Sequence, residues 1–319
     1  MSSLPSPRVS LVRAFTQVGI DFSGAINIRS NMQHNCKYTK EYICLIICLA
    51  TRAINLELVG DLFTHSFINA LKRFISRRGI CTSIQSDNGT NFRGSHNELN
   101  VLYEMFKNDK SYTNIVNFCS KDKIEWNFTV PLASHMGGIY EAGIKSVKTL
   151  LKRQLCNSKL TYELLNTVLI QIKGILNSRP LCPLTDEHYD MPCLTSAHFL
   201  IGTPIVDLPE PNICNVTENR LSLFQRITRF KQMFWKQFYK QYLSELQVRS
   251  NWLGKCNNLE VGCVVLIKDE NTPPACWPLG KIIQVYKNSS DNLVRSAIIK
   301  TATGEYHLPI RKLVLLLEQ

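Results

Sequence analysis

Nine consecutive residues, Tyr42 to Ala50, carry no charge, and seven of them are Ile, Leu or Cys. Such a run is far shorter than the roughly 20 residues a membrane helix needs. It is also too uniformly apolar for a strand with one wet face, so it reads as a central strand buried on both sides. With the strands and interleaved helices that surround it, such a strand points to an α/β fold. At 319 residues the chain is long enough for about two or three domains.

The flanking sequence supplies the rest of that sheet. Thr16 to Gly24 alternates, with Val18, Ile20 and Phe22 on one face and Gly19, Asp21 and Ser23 on the other. Ala53 to Leu58 alternates again, so three strands are expected first. Thr64 suits an N-cap for a helix with Phe67, Leu71, Phe74 and Ile75 inside, Lys72, Arg73, Arg77 and Arg78 outside, and Gly79 as its stop. Cys81 to Ser86 reads as a strand running into the Asp87-Asn88-Gly89 turn, which leaves Asp87 at the strand's carboxyl end. A helical stretch near 97–106, a strand at 124–129 and a helix from Tyr140 complete a mixed α/β domain over residues 16–180, after a tail of residues 1–15. Residues 181–219 hold five of the 13 prolines and read as an irregular acidic linker. A basic amphipathic helix is expected within 220–255, and short strands separated by turns over 256–319 predict a small β-barrel.

Charge follows these divisions. The net +12 divides into +7 over 64–160, −5 over 161–219 and +7 over 220–255, with little elsewhere. Two basic blocks split by an acidic stretch point to two contact surfaces for a polyanion, with the acidic stretch facing away. The N-terminus lacks the apolar core of a secretory signal, so an intracellular protein without a membrane span is expected. The twelve cysteines are spread thinly, without C-x-x-C spacing, and read as reduced, mostly buried thiols; no zinc site is expected.

Asp21 on the first strand, Asp87 at the end of a later one and Glu141 at a helix start would converge if the first strand lay centrally in the sheet. Clustered carboxylates repel one another and need cations, and hard oxygen donors favour Mg²⁺ or Mn²⁺. Two such ions about 4 Å apart can activate an attacking oxygen and stabilise a leaving one. From Glu141 the helix carries Lys145, Lys148 and Lys152 at spacings of four, three and four, a carboxylate followed by a row of ammonium groups on one face.

At these residues the chain resembles the integrases of retroviruses and long-terminal-repeat retrotransposons, most closely the BEL/Pao group. The matching strings are Val18-Gly19-Ile20-Asp21-Phe22-Ser23-Gly24, Ser86-Asp87-Asn88-Gly89-Thr90-Asn91-Phe92 and Ser134-His135-Met136-Gly137-Gly138-Ile139-Tyr140-Glu141. Leu176-Asn177-Ser178-Arg179-Pro180-Leu181, Ala197-His198-Phe199-Leu200-Ile201-Gly202 and Trp277-Pro278-Leu279-Gly280 are also similar to this family. The resemblance implies a ribonuclease H-like core, a helical linker and a small SH3-like β-barrel that contacts DNA. It implies Asp21, Asp87 and Glu141 as the catalytic, metal-binding triad for two Mg²⁺ or Mn²⁺ ions.

It further implies DNA contact by Lys145, Lys148 and Lys152, with Asn88 in the turn presenting the second acid and His135 in the loop before the third. The activity implied is that of a polynucleotidyl transferase: DNA 3′-end processing and strand transfer on double-stranded element ends and target DNA, by a homo-oligomer, in the nucleus when active. The residues ahead of Asp21 are too few for the zinc module of two His and two Cys that begins such integrases, so none is expected. The alternative is a degenerate or domesticated integrase that only binds DNA.

Overall fold

The computed structural model describes residues 12–32, 36–87, 90–108, 124–128, 147–153, 160–184, 193–217, 220–247, 258–269, 271–288 and 292–316. It divides into two compact units, 1–173 and 174–319.

The first unit is built on a six-stranded mixed sheet. Its strands are β1 (Gln17–Phe22), β2 (Ile26–Arg29), β3 (Tyr38–Cys48), β4 (Ile54–Val59), β5 (Ser83–Ser86) and β6 (Glu125–Phe128). β3 is antiparallel to β1, β2 and β4, whereas β5 runs parallel to both β1 and β6. The first strand is therefore interior to the sheet, between β3 and β5.

The apolar run is buried on both faces as its composition requires, with every residue from Ile43 to Leu49 no more than 7% exposed. Four strands rather than three come first. β2 pairs with Tyr38–Glu41, a polar extension of β3 in which Tyr38, Thr39 and Lys40 are exposed, and polar flanks of this kind leave no apolar signal.

One face of this sheet is covered by α1 (Thr64–Arg78) and α2 (Thr90–Asn108). Phe22 of β1 meets Phe67 and Phe92 at ring separations of 5.9 and 5.4 Å, and Phe67 lies edge-on to Trp126 of β6. α1 starts one residue earlier than a Thr64 cap would put it: Phe63 holds the N-cap position and its side chain caps nothing. The stop at Gly79 is as expected. Its φ of +80° is in the range that favours glycine, and a Cβ there would run into the Arg13 guanidinium. That guanidinium donates to the carbonyls of Arg78 and Ile80, a cation on the negative end of the helix. A helical segment at 147–153 contributes buried Val147, Leu150 and Leu151. α3 (Tyr162–Asn177), within which the unit boundary falls, was not expected, although its buried Leu165, Val168, Leu169, Ile172, Ile175 and Leu176 follow helical spacing.

In the second unit, residues 181–219 are less irregular than their prolines suggest. β7 (Pro180–Pro183) pairs with β8 (Cys193–Thr195), and a single helical turn, α4 (His198–Ile201), follows. α5 (Leu223–Leu246) begins at Ser222, whose hydroxyl accepts from Gln225 N–H while the Gln225 side chain accepts from Ser222 N–H, a complete capping box. Five antiparallel strands form the remaining sheet in the order β12 (Gly304–Pro309), β11 (Val294–Thr301), β10 (Leu279–Lys287), β9 (Val264–Ile267) and β13 (Leu313–Leu315). Val265, Ile282, Ala297, Ile299 and Leu313 make its core. Of the short strands expected here, the last two are separated by a 3-10 turn, Ile310–Lys312, and pair with different partners, β12 with β11 and β13 with β9.

Trp277, in the chain between β9 and β10, is surrounded by Trp235, Phe238, Tyr239 and Tyr242 of α5, with ring separations of 4.9 to 6.3 Å. The polar atoms of these rings find backbone and side-chain partners. Trp235 Nε1 donates to the Thr272 carbonyl at 2.7 Å, Tyr239 Oη to the Ile267 carbonyl at 2.7 Å and Trp277 Nε1 to Ser178 Oγ at 3.2 Å. α5 and the five-stranded sheet are thus one packed body, as aromatic spacing at helical period suggests.

Among the described residues there is no disulfide, and of nine free thiols only Cys44, Cys48 and Cys81 are buried, fewer than expected. Burial raises the Cys44 thiol and pushes Cys81 up to about 11, so both stay protonated near neutrality. No helix among the described residues is long and apolar enough to cross a membrane.

Candidate active site

The parallel pairing of β1 with β5 decides where two of the three acids lie. Ile20 is opposite Ser86 in the register, and Asp21 and Asp87 each stand one residue further on. They therefore leave the carboxyl ends of neighbouring strands at the same level, with backbones about one strand spacing, roughly 5 Å, apart. Side chains alternate along a strand, so both acids face away from the Ile20 and Ser86 side. That side is committed to packing: Ser86 is fully buried and its hydroxyl accepts from Trp126 Nε1 at 2.9 Å.

Asp21 is held on both oxygens. Oδ1 accepts from the Phe22 N–H at 2.7 Å, and Oδ2 contacts the ammonium of Lys148 at 2.5 Å. The two side chains are 29% and 28% exposed, so the pair is open to solvent on one side. Lys148, expected on DNA, thus sits on Asp21, one of the three acids expected to converge. Lys152, one turn on, is exposed. Asp87 is exposed at the end of β5. Glu141, Lys145, Asn88 and His135 lie outside the described residues. Among the described residues, no group of three or more His, Cys, Asp or Glu side chains converges.

The basic surfaces differ from the sequence expectation. Arg73 and Arg77, read as a solvated face of α1, both bind Glu57 of β4, at 3.2 and 2.7 Å, and Asn55 Nδ2 donates to the same carboxylate at 3.1 Å. Glu57 is 4% exposed. Lys173 reaches Asn55 Oδ1 at 3.3 Å; burial and then the charge of Arg78 lower its pKa, although Glu57 is close. In the second unit, Lys231 of α5 is 2% exposed and lies between Asp207 at 2.9 Å and Glu210 at 2.5 Å. Asp207 and Glu210, the linker acids among the described residues, are therefore turned toward the basic helix and not away from it. The sequence signals for both clusters were present as single charges in apolar surroundings, Glu57 in a strand and Lys231 beside Ile227 and Phe234, but nothing local named their partners.

Residues 222–316 match a family described as "Family of unknown function (DUF5641)". The match starts at the Ser222 cap of α5 and ends after β13, which is the extent of the packed helix and sheet. No curated protein matches the chain. Among solved structures the chain is similar to one in the "CryoEM structure of simian T-cell lymphotropic virus intasome in complex with PP2A regulatory subunit B56 gamma". The identity is 11%, the TM-score 0.37, and the match covers 98% of this chain and 85% of that one. Similarity at this level fixes neither fold nor chemistry.

Proposed function

We propose that the chain is an integrase-like polynucleotidyl transferase of the BEL/Pao type, with a ribonuclease H-like core and an SH3-like C-terminal barrel, acting on double-stranded DNA as a homo-oligomer in the nucleus. The observation that carries this reading is the juxtaposition of Asp21 and Asp87 at the carboxyl ends of the parallel pair β1 and β5. Both belong to strings that resemble the family's metal-binding motifs. The residues suit the ions the reading requires: carboxylates are hard oxygen donors, and an ammonium already seated on Asp21 Oδ2 marks a position that draws a cation.

Asp21 and Asp87, with Glu141 as the third donor, would hold two Mg²⁺ or Mn²⁺ ions, which activate an attacking oxygen and stabilise a leaving one. The chain's own work is binding and orientation. The half-buried Phe22, packed with the buried Phe67, Phe92 and Trp126, fixes the strand ends from which the acids project. Lys145, Lys148 and Lys152 hold phosphates beside them. Water and then a 3′-hydroxyl serve as nucleophiles, with no covalent protein intermediate.

Oligonucleotide end-processing and strand-transfer assays with Mn²⁺ test this. Asp87→Asn should lose about a hundredfold or more in rate, as removal of one preorganised electrostatic group does. Equal rates would remove Asp87 from the chemistry, and no reaction by either protein would leave a DNA-binding protein without catalysis. The phosphate role has its own readout: Lys145→Ala with Lys152→Ala should lower the slope of log affinity against log salt by about two.

A further inference from the structure

Lys148 belongs to the row of cations that this reading assigns to phosphates, yet its ammonium lies 2.5 Å from Asp21 Oδ2. One group cannot serve both places at once. The carboxylate oxygen it covers is also one that a divalent ion on Asp21 would use, since the other already accepts from the Phe22 N–H. The pair is more than a quarter exposed on each side, so exchange with solvent ions is not closed off by packing. Val147, Leu150 and Leu151 anchor the segment, which leaves the Lys148 side chain as the part able to swing.

We propose that Lys148 is an exchangeable counter-ion. In the ion-free protein it neutralises Asp21; a divalent cation arriving at Asp21 displaces it, and the released ammonium takes a phosphate of the nucleic acid. The inference rests on Asp21 being a metal ligand. Its consequence is reciprocal coupling: divalent cation strengthens binding of the polyanion, and the polyanion strengthens binding of the cation, by the same factor. A charged site would then be masked until both ligands are present.

The full-length chain with Mn²⁺ alone provides the first test. Lys148→Met, which keeps the side chain's length and drops its charge, should bind Mn²⁺ at least about fivefold more tightly, the lower end of typical couplings. Arg153→Met removes an exposed cation of the same segment and should change Mn²⁺ affinity far less. A short fluorescent duplex gives the second test: Mn²⁺ should tighten its binding to the unaltered chain and to Lys148→Arg, and not to Lys148→Met. Unchanged Mn²⁺ affinity in Lys148→Met, or an equal gain in Arg153→Met, would overturn the exchange. If Asp21→Asn abolishes Mn²⁺ binding in the same experiment, the metal reading stands without the exchange. If Asp21→Asn binds Mn²⁺ as before, both fall.

Discussion

Lys148 and Lys231 come from the two basic blocks, each +7, and each meets a carboxylate at 2.5 Å, yet the two pairs do different things. Lys231 is 2% exposed and faces two acids, so its charge is enclosed and spoken for. Lys148 is 28% exposed and faces one acid that is equally open. Contact distance does not distinguish a structural ion pair from an exchangeable one; burial and the number of partners do. A buried pair cannot lose a member without stranding a charge, whereas an open pair hands its members back to water.

The largest effect should come from breaking the enclosed pair. Lys231→Ala leaves Asp207 and Glu210 facing each other without their cation, and should cost about 3 kcal/mol in denaturant unfolding of the chain. A loss under about 1 kcal/mol would mean that the linker acids are as loosely held as Asp21. The same pair predicts a pH dependence. Burial by itself would lower the Lys231 pKa, but the contacts with Glu210 and Asp207 outweigh it and leave the value raised. Its contribution is therefore complete below the ordinary lysine pKa and disappears as pH climbs through the raised one. Thermal melts should show an alkaline loss of stability that Lys231→Met lacks.

An intermediate case sharpens the contrast. Glu57 is buried while its partners Arg73 and Arg77 have side chains 40% and 55% exposed. Glu57→Gln should destabilise by about 2 kcal/mol, between the two extremes, because the arginines can turn to solvent once released. The smallest effect belongs to the open pair: Lys148→Met should change stability by less than about 1 kcal/mol. Added salt should weaken the Asp21–Lys148 interaction far more than the enclosed Lys231 cluster, as double-mutant cycles at low and high salt can measure.

What the sequence made legible was whatever a local pattern encodes. The apolar run of β3 specified a two-sided strand, alternation placed Asp21 on the face away from Val18 and Ile20, and the Asp-Asn-Gly turn set Asp87 at the end of β5. The interior position of β1, on which convergence of these acids depends, is a property of sheet order, and the structure supplied it. β2 escaped notice because only Ile26 and Ile28 of its four residues are apolar. α3 carries its signal in the helical spacing of Leu165, Val168, Leu169, Ile172, Ile175 and Leu176. The ionic partners could not be read at all: Glu57 with Arg77, Lys231 with Asp207 and Lys148 with Asp21 are separated by 20, 24 and 127 positions. Several cations that add to the net charge of their segments are held by acids distant in sequence, Lys231 by Asp207 and Glu210 and both Arg73 and Arg77 by Glu57.

The proposed function requires Asp21 and Asp87 to act as one site, and Mn²⁺ binding followed by electron paramagnetic resonance tests that most directly. Because the two acids would share their ions, Asp21→Asn and Asp87→Asn should each abolish the bound Mn²⁺ signal seen with the unaltered chain, while both variants unfold at nearly its temperature. Retention of the full bound signal by either variant would show that the strand ends do not form a common metal centre.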